Sequence, residues 1–370
     1  MEFLQELKKV KINEVRAVIP KSCYERSNTK ALAWYAFDGL LYLSMIAGVF
    51  LSPYWPLKFL FGVLAGCAVA FMFVWAHDAA HGALFKSKRA SEILGTIFML
   101  PSLNMYRLWC FGHNKVHHGF TSWVEIDFIW RPLSPQEYTA LPFHKRFFYR
   151  LERTPYFCAL HYLVHVWWKK MVRFAPDGNP KEKRLFRLNK LLTLAFFTAF
   201  FALAYQFGGG LVGAVCAVII PFIVFNYFIA LFVYLHHTHP DSVFFKDKKD
   251  WSMTLGQLYS TTVVRCSKLS EALIHNILIH IPHHVDSRIP FYHLKEAYAA
   301  LKEQYGEYLH EYRFSIKTVS EIFRRCKLYD YENMKWISFK EVSKFKAASK
   351  RMQESLLEME STLKEKYSTQ

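Results

Sequence analysis

The sequence is poor in cysteine, and none of its cysteines are close enough together to suggest a zinc ribbon or a disulfide framework. The seven (Cys23, Cys67, Cys110, Cys158, Cys216, Cys266 and Cys326) are scattered, odd in number and without a CxxC spacing, a pattern of reduced thiols. There is no His-Glu-x-x-His motif, so a zincin-type protease has no support. The opening stretch, MEFLQELKKVKINEVRAVIPK, has neither an apolar signal-peptide core nor the Ser/Arg richness of a transit peptide. Membrane insertion is therefore expected to be driven by the first span. Charge is missing altogether from residues 191–235.

What is present is strongly segregated. Of 370 residues, 52% are hydrophobic and 18% aromatic, alongside 47 Lys and Arg and 30 Asp and Glu. A mean hydropathy of +0.05 then implies very apolar blocks beside very charged ones, as in a membrane protein with large aqueous parts. The net charge of +17 raises nucleic acid as a partner. The basic residues instead flank apolar blocks, where cytoplasmic lipid head groups hold them, so no nucleic-acid partner is expected.

Residues 31–51 and 57–76 are each long enough to span a bilayer, which needs ~20 apolar residues, and SPYWP (52–56) makes a tight turn between them. Residues 191–235 read as two more spans joined at QFGGG. The expected fold is an all-α integral membrane protein: four transmembrane helices in two hairpins, with a cytoplasmic helical cap. The expected parts are a cytoplasmic N-terminal segment (1–30), hairpin 1 (31–76), a cytoplasmic segment (77–190), hairpin 2 (191–235) and a cytoplasmic cap (236–370). Lys58 is the only basic residue within the hairpins past the interface, so the positive-inside rule places both termini in the cytoplasm. PYFCALHYLVHVWW (155–168), with His161 and His165, reads as an interfacial helix, and 91–110 as a weaker one. Asp38, an acid inside a span, is a functional candidate by default, with a snorkelling or hydrogen-bonded structural role at least as strong a reading. Residues 340–370 read as a charged, solvated helix without chemistry.

The histidines are the main signal. His77 and His81 follow the second span. His113, His117 and His118 lie in the middle segment. His236, His237 and His239 follow the fourth span, and His275, His280, His283 and His284 come soon after. Residues four apart share a helix face, so His77 with His81, and His113 with His117, are expected to point at one centre each. Pro282 favours a new helical turn carrying His283 and His284, with His280 just before it. One metal takes at most about six ligands, so eight or more imidazoles imply two metals. A carboxylate-type diiron bundle needs paired Glu-x-x-His motifs. Glu307-Tyr-Leu-His310 is a single match, read as accidental. A histidine-rich transporter should place its ligands at the bilayer midplane on broken helices; here they sit just outside unbroken spans. A di-haem carrier would need histidines inside the spans, and 31–51, 57–76 and 191–235 contain none.

The order His-x3-His, His-x3-His-His, His-x2-His-His around two hairpins resembles the membrane fatty acid desaturases, nearest to their delta-12/omega-3 acyl-lipid branch. AVIPKSCYERS (17–27), YLHHTHPDS (234–242) and HNILIHIPHHVDSRIPFYHLKEA (275–297) resemble that branch too, and the likeness runs from about residue 15 to 315. It implies a diiron centre with iron ligands at His77, His81, His113, His117, His118, His280, His283 and His284. A ninth is expected at His237, with His236, His239 and His275 orienting the ligands. It implies O2 as co-substrate, a membrane lipid or acyl thioester as substrate, and insertion of a cis double bond. Box two has three residues between its first His and the pair, where many relatives have two; this opens a hydroxylase reading on the same iron site. Box one has three intervening residues, unlike the acyl-CoA delta-9 branch. No cytochrome b5-like His-Pro-Gly-Gly motif is present, so electrons are expected from a separate ferredoxin- or cytochrome b5-type donor. Short termini without an obvious di-lysine signal favour a bacterial inner membrane over the endoplasmic reticulum.

Overall fold

The structure is a computed structural model that describes residues 2–174 and 179–342. The expected helix at 340–370 falls almost entirely outside them. Two short N-terminal helices, α1 (Glu2–Lys9) and α2 (Ile12–Ala17), lead to α3 (Asn28–Leu51) and α4 (Trp55–Ala80). The Ser27 hydroxyl caps α3 by accepting from the Lys30 amide, which satisfies a free donor of the first turn. α3 packs along α4. α4 runs one turn past the apolar stretch, so that His77 is part of the helix.

Next come α5 (Lys88–Met99), α6 (Tyr106–Cys110), a π-helical run (Phe111–His117) and α7 (His118–Phe120). α8 (Pro135–Ala140), α9 (Phe143–Glu152) and α10 (Ala159–His161) follow. α10 continues as a π-helix from Tyr162 to Val172. The stretch expected as an interfacial helix from 155 is thus helical only from 159, and continues past 168. Tyr156, Phe157, Val164 and Trp168 on it are exposed, as an interfacial element requires.

α11 (Pro180–Phe207) and the continuous run α12 (Gly210–Ala214), π-helix Val215–Ile219 and α13 (Ile220–His237) complete the apolar helices. Among the described residues, four helices are long and apolar enough to cross a membrane: Asn28–Leu51, Trp55–Ala80, Pro180–Phe207 and Gly210–His237. The turn at QFGGG needs glycine, because Gly209 and Gly210 have φ of +94° and +69°. Two further glycines let α4 meet the fourth apolar helix at backbone distance. A Cβ on Gly62 would stand 2.4 Å from the Cys216 carbonyl oxygen, and one on Gly66 2.5 Å from Val224 Cβ. This is a small-xxx-small contact of the kind that packs helices in lipid. At the far end, the buried Lys58 ammonium donates to the carbonyls of Val49 (2.7 Å) and Gly208 (2.8 Å). It ties the C-terminal ends of α3 and α11 together, where free carbonyls favour a cation.

The remainder forms the cap: α14 (Lys268–Leu273), α15 (His280–Val285), α16 (Leu294–Tyr305) and α17 (Ile316–Arg325). The all-α expectation needs correction here. β1 (Thr262–Arg265) pairs in parallel with β2 (His310–Arg313), and β3 (Leu328–Asp330) pairs antiparallel with β4 (Lys335–Ile337). The β-branched run of β1 suits a strand. The first sheet also serves the C-terminus of α13, where Thr262 Oγ1 (2.6 Å) and the Tyr312 hydroxyl (3.0 Å) donate to the Leu235 carbonyl, a group the helix itself leaves free.

Candidate metal centre

α4 ends in His77 and His81, and α13 ends in His236 and His237. The two helices pack on each other, so their histidine-bearing ends meet at one level. The π-helix over 111–117 and α15 close over them.

The histidines gather into two clusters. His77, His81, His113, His118 and His283 form the first, and His117, His237 and His284 form the second, extended by His236 and His280 around His237. The π-helix explains the division. Its hydrogen bonds run from residue i to i+5, as from the His118 amide to the His113 carbonyl. His113 and His118 therefore face the same centre, with Nε2 atoms 3.1 Å apart. His117, expected to share a face with His113, turns instead to the second centre, where its Nε2 lies 3.1 Å from that of His237.

Within the first cluster, Nε2 of His113 is 3.1 Å from Nε2 of His77, and Nε2 of His283 is 3.1 Å from Nε2 of His118. Nitrogens held about 2.1 Å from one metal stand roughly 3.0 Å apart at right angles and roughly 3.4 Å apart at tetrahedral angles. The observed spacing lies in that interval. His81 Nε2 and His284 Nε2 are buried with no hydrogen-bond partner among the described residues, which is costly unless a ligand takes the lone pair. Burial and neighbouring imidazoles push His81, His113, His118, His280, His283 and His284 well below the ordinary histidine range. They are neutral, the form that binds metal.

The far sides of the rings are oriented by groups that the sequence did not single out. His117 Nδ1 donates to the Asp127 carboxylate at 3.0 and 3.1 Å. His77 Nδ1 donates to Asp78 Oδ1 at 2.9 Å, and Asp78 Oδ2 accepts from the Phe291 amide at 2.7 Å. His284 Nδ1 donates to Gln257 Oε1 at 2.6 Å, and Gln257 also donates to the His118 carbonyl. His280 Nδ1 donates to the Ile277 carbonyl at 3.2 Å. Each bond fixes the tautomer that leaves Nε2 free for a metal. Asp78, inside box one, and Asp127, ten residues past His117, are visible in the sequence as carboxylates near the boxes; nothing marks Gln257.

Of the three histidines expected to orient ligands, only His236 is at the centre, stacked on His280 with ring centroids 3.6 Å apart. His239 lies beside His310 and pairs with Asp241 (3.4 Å), away from both clusters. His275 is buried against Asp38, with Nε2 2.7 Å from Oδ2. It and Asn276 adopt φ of +52° and +54°. Asp38 thus holds a strained turn that delivers the chain to box three. His161 and His165 bracket Glu152 at 3.6 and 3.0 Å in a separate group.

Beneath the clusters lies a narrow apolar cavity of about 60 Å³. Phe73, Val74, Trp109, Tyr162, Val166, Ile229 and Val233 line it, and His77, His113, His117, His236, His237 and His280 close one end.

The family-wide pattern for fatty acid desaturases matches residues 53–315. The chain belongs to the fatty acid desaturase family. It is similar to the sn-1 oleoyl-lipid 12-desaturase of Synechocystis sp., with 30% identity over 88% of this chain and 90% of that protein. It is similar to the chloroplastic omega-6 fatty acid desaturase of Glycine max, with 29% identity over 87% of this chain and 74% of that one. The sn-1 acyl-lipid omega-3 desaturase (ferredoxin) of Synechocystis sp. is 28% identical over 84% of this chain and 85% of its own length. This desaturase is an oxidoreductase of lipid metabolism, and every histidine of its three boxes falls within the matched region.

Proposed function

We propose that the desaturase inserts a cis double bond, of the delta-12 or omega-3 type, into a mono-unsaturated acyl chain carried on a membrane lipid. The observation that carries this reading is the apolar cavity closed by two converging imidazole clusters. The cavity is narrow, about 60 Å³, and its lining offers mainly carbon to a chain lying under the histidines.

Iron is the metal this reading assigns, because an all-imidazole site with open positions suits O2 chemistry. His77, His81, His113, His118 and His283 would hold one iron, and His117, His237, His280 and His284 the other. His237 is preferred over His236 as ninth ligand because its Nε2 faces that of His117. The bound pair supplies O2 activation with two electrons from an external donor, of ferredoxin or cytochrome b5 type. The protein positions the chain and keeps water from the reaction. Trp109, stacked on His113 with centroids 4.2 Å apart, and Phe73, edge-on to Trp109 at 5.5 Å, seal the histidine end.

In this reading the two hairpins would put both termini and the histidine-bearing cap on one side, the cytoplasmic one by the positive-inside rule, of a membrane that we propose is a bacterial inner membrane. The test is expression in a host that makes mono-unsaturated lipids, with gas chromatography–mass spectrometry of total fatty acid methyl esters. A new di-unsaturated species, absent with His283→Ala, is expected. A hydroxylated product instead would move the chain to hydroxylation on the same site.

A further inference from the structure

Among the described residues, the cavity has one charged side chain on its wall other than histidine: Lys170. It stands on the π-helix over 162–172, on the same wall as Tyr162 and Val166. Histidines close the cavity at one end, all of them buried except the half-buried His113, whereas Lys170 is exposed. The lysine therefore marks a rim open to the surroundings.

Two neighbouring cations are occupied. Lys190 donates to the carbonyls of Val172 (2.8 Å) and Phe174 (2.6 Å), closing the end of the π-helix. Lys169 bonds His165 at 3.2 Å. Lys170 has no carboxylate partner among the described residues; its ammonium lies over the Phe128 ring, 5.1 Å from the centroid. Phe128 also lines the cavity. A cation–π contact steadies a lysine without neutralising it. The helix that carries it exposes Val164 and Trp168, which sets this rim at the level of lipid head groups.

We infer that Lys170 is a head-group site for the substrate: it binds the phosphodiester of a glycerophospholipid whose acyl chain enters the cavity toward the histidines. This rests on the desaturase reading above and gives it a substrate class. An anchored phosphate would position the chain from its carboxyl end. The charge is matched to the ligand, and nothing else on the cavity wall could select an anionic carrier.

The test uses the full-length, iron-loaded protein in mixed micelles with its electron donor. Oleoyl chains are presented on phosphatidylglycerol, on an uncharged galactolipid and on an acyl-carrier thioester, and turnover is read by mass spectrometry for each. Lys170→Glu is expected to lower the ratio of phosphatidylglycerol to galactolipid turnover about five- to tenfold, the worth of one lysine at an anionic surface. Lys170→Arg is expected to keep the ratio within about twofold. Phosphatidylglycerol should also raise the thermal unfolding temperature of the wild type more than that of Lys170→Glu. An unchanged ratio with an equal thermal shift would overturn the assignment. A loss confined to the thioester would overturn the lipid as source of the phosphate. A wild type that is inactive on all three carriers with iron bound would overturn the desaturase reading itself, an outcome distinct from an active wild type whose ratio ignores Lys170.

Discussion

α4 and α13 differ from α3 and α11 both in being more apolar and in what surrounds them. In the most apolar stretch of each span, 61% of the α4 helix and 44% of the helix ending at His237 are buried in the protein, against 22% for α3 and 11% for α11. The buried pair carries His77, His236 and His237 on its last turns; the exposed pair carries no histidine. Inside a bilayer there is little hydrophobic gain in moving a side chain from lipid to protein. The buried pair is the more apolar, but what sets it apart functionally is fit, concentrated where ligands must be held in place.

The contrast predicts unequal responses to the same kind of truncation. Phe225 on α13 is fully buried, 4.9 Å from Phe73. Phe225→Ala should cost about 3 kcal/mol, the low end for a buried Phe, because the cavity term remains while the transfer term shrinks in lipid. Denaturant titration in detergent measures it; a cost under ~1 kcal/mol would dissolve the distinction. The next largest effect lies at the centre that α13 supports. Asp127→Ala frees the ring of His117 and should weaken metal binding at the second cluster roughly 10–100-fold, leaving the first intact, as read by chelator competition. Equal weakening of both clusters would mean that Asp127 holds the fold rather than one ring. The smallest effect is on the exposed pair: Leu194→Ala on α11, at a side chain 59% exposed, should fall within ~0.5 kcal/mol of wild type.

Much of the fold and of the centre is legible in the sequence, for physical reasons. Spans announce themselves by length and absence of charge, so all four can be read, with ends displaced because α4 and α11 run on into polar residues. The histidines are legible because so many imidazoles, grouped in short motifs at the ends of spans, suit metal binding and little else. Their partition between two centres is not. An i, i+4 spacing on an α-helix puts His113 with His117, and only the π-helical backbone, which periodicity does not reveal, separates them. Gln257, on a short π-helical turn (Leu255–Tyr259), goes unseen because a polar residue shows its partner only after folding, and Asp127 is visible only as a carboxylate near box two. The small sheets escape because three- and four-residue strands leave little period-two pattern. Asp38 is the hydrogen-bonded structural acid its position suggests, but its partner, His275, was expected nearer the ligands.

Metal analysis of the purified protein tests the central claim most directly. The account predicts about two irons per chain in the wild type, two in His236→Ala and about one in His237→Ala. Zinc in place of iron, or a single metal in the wild type, would contradict it.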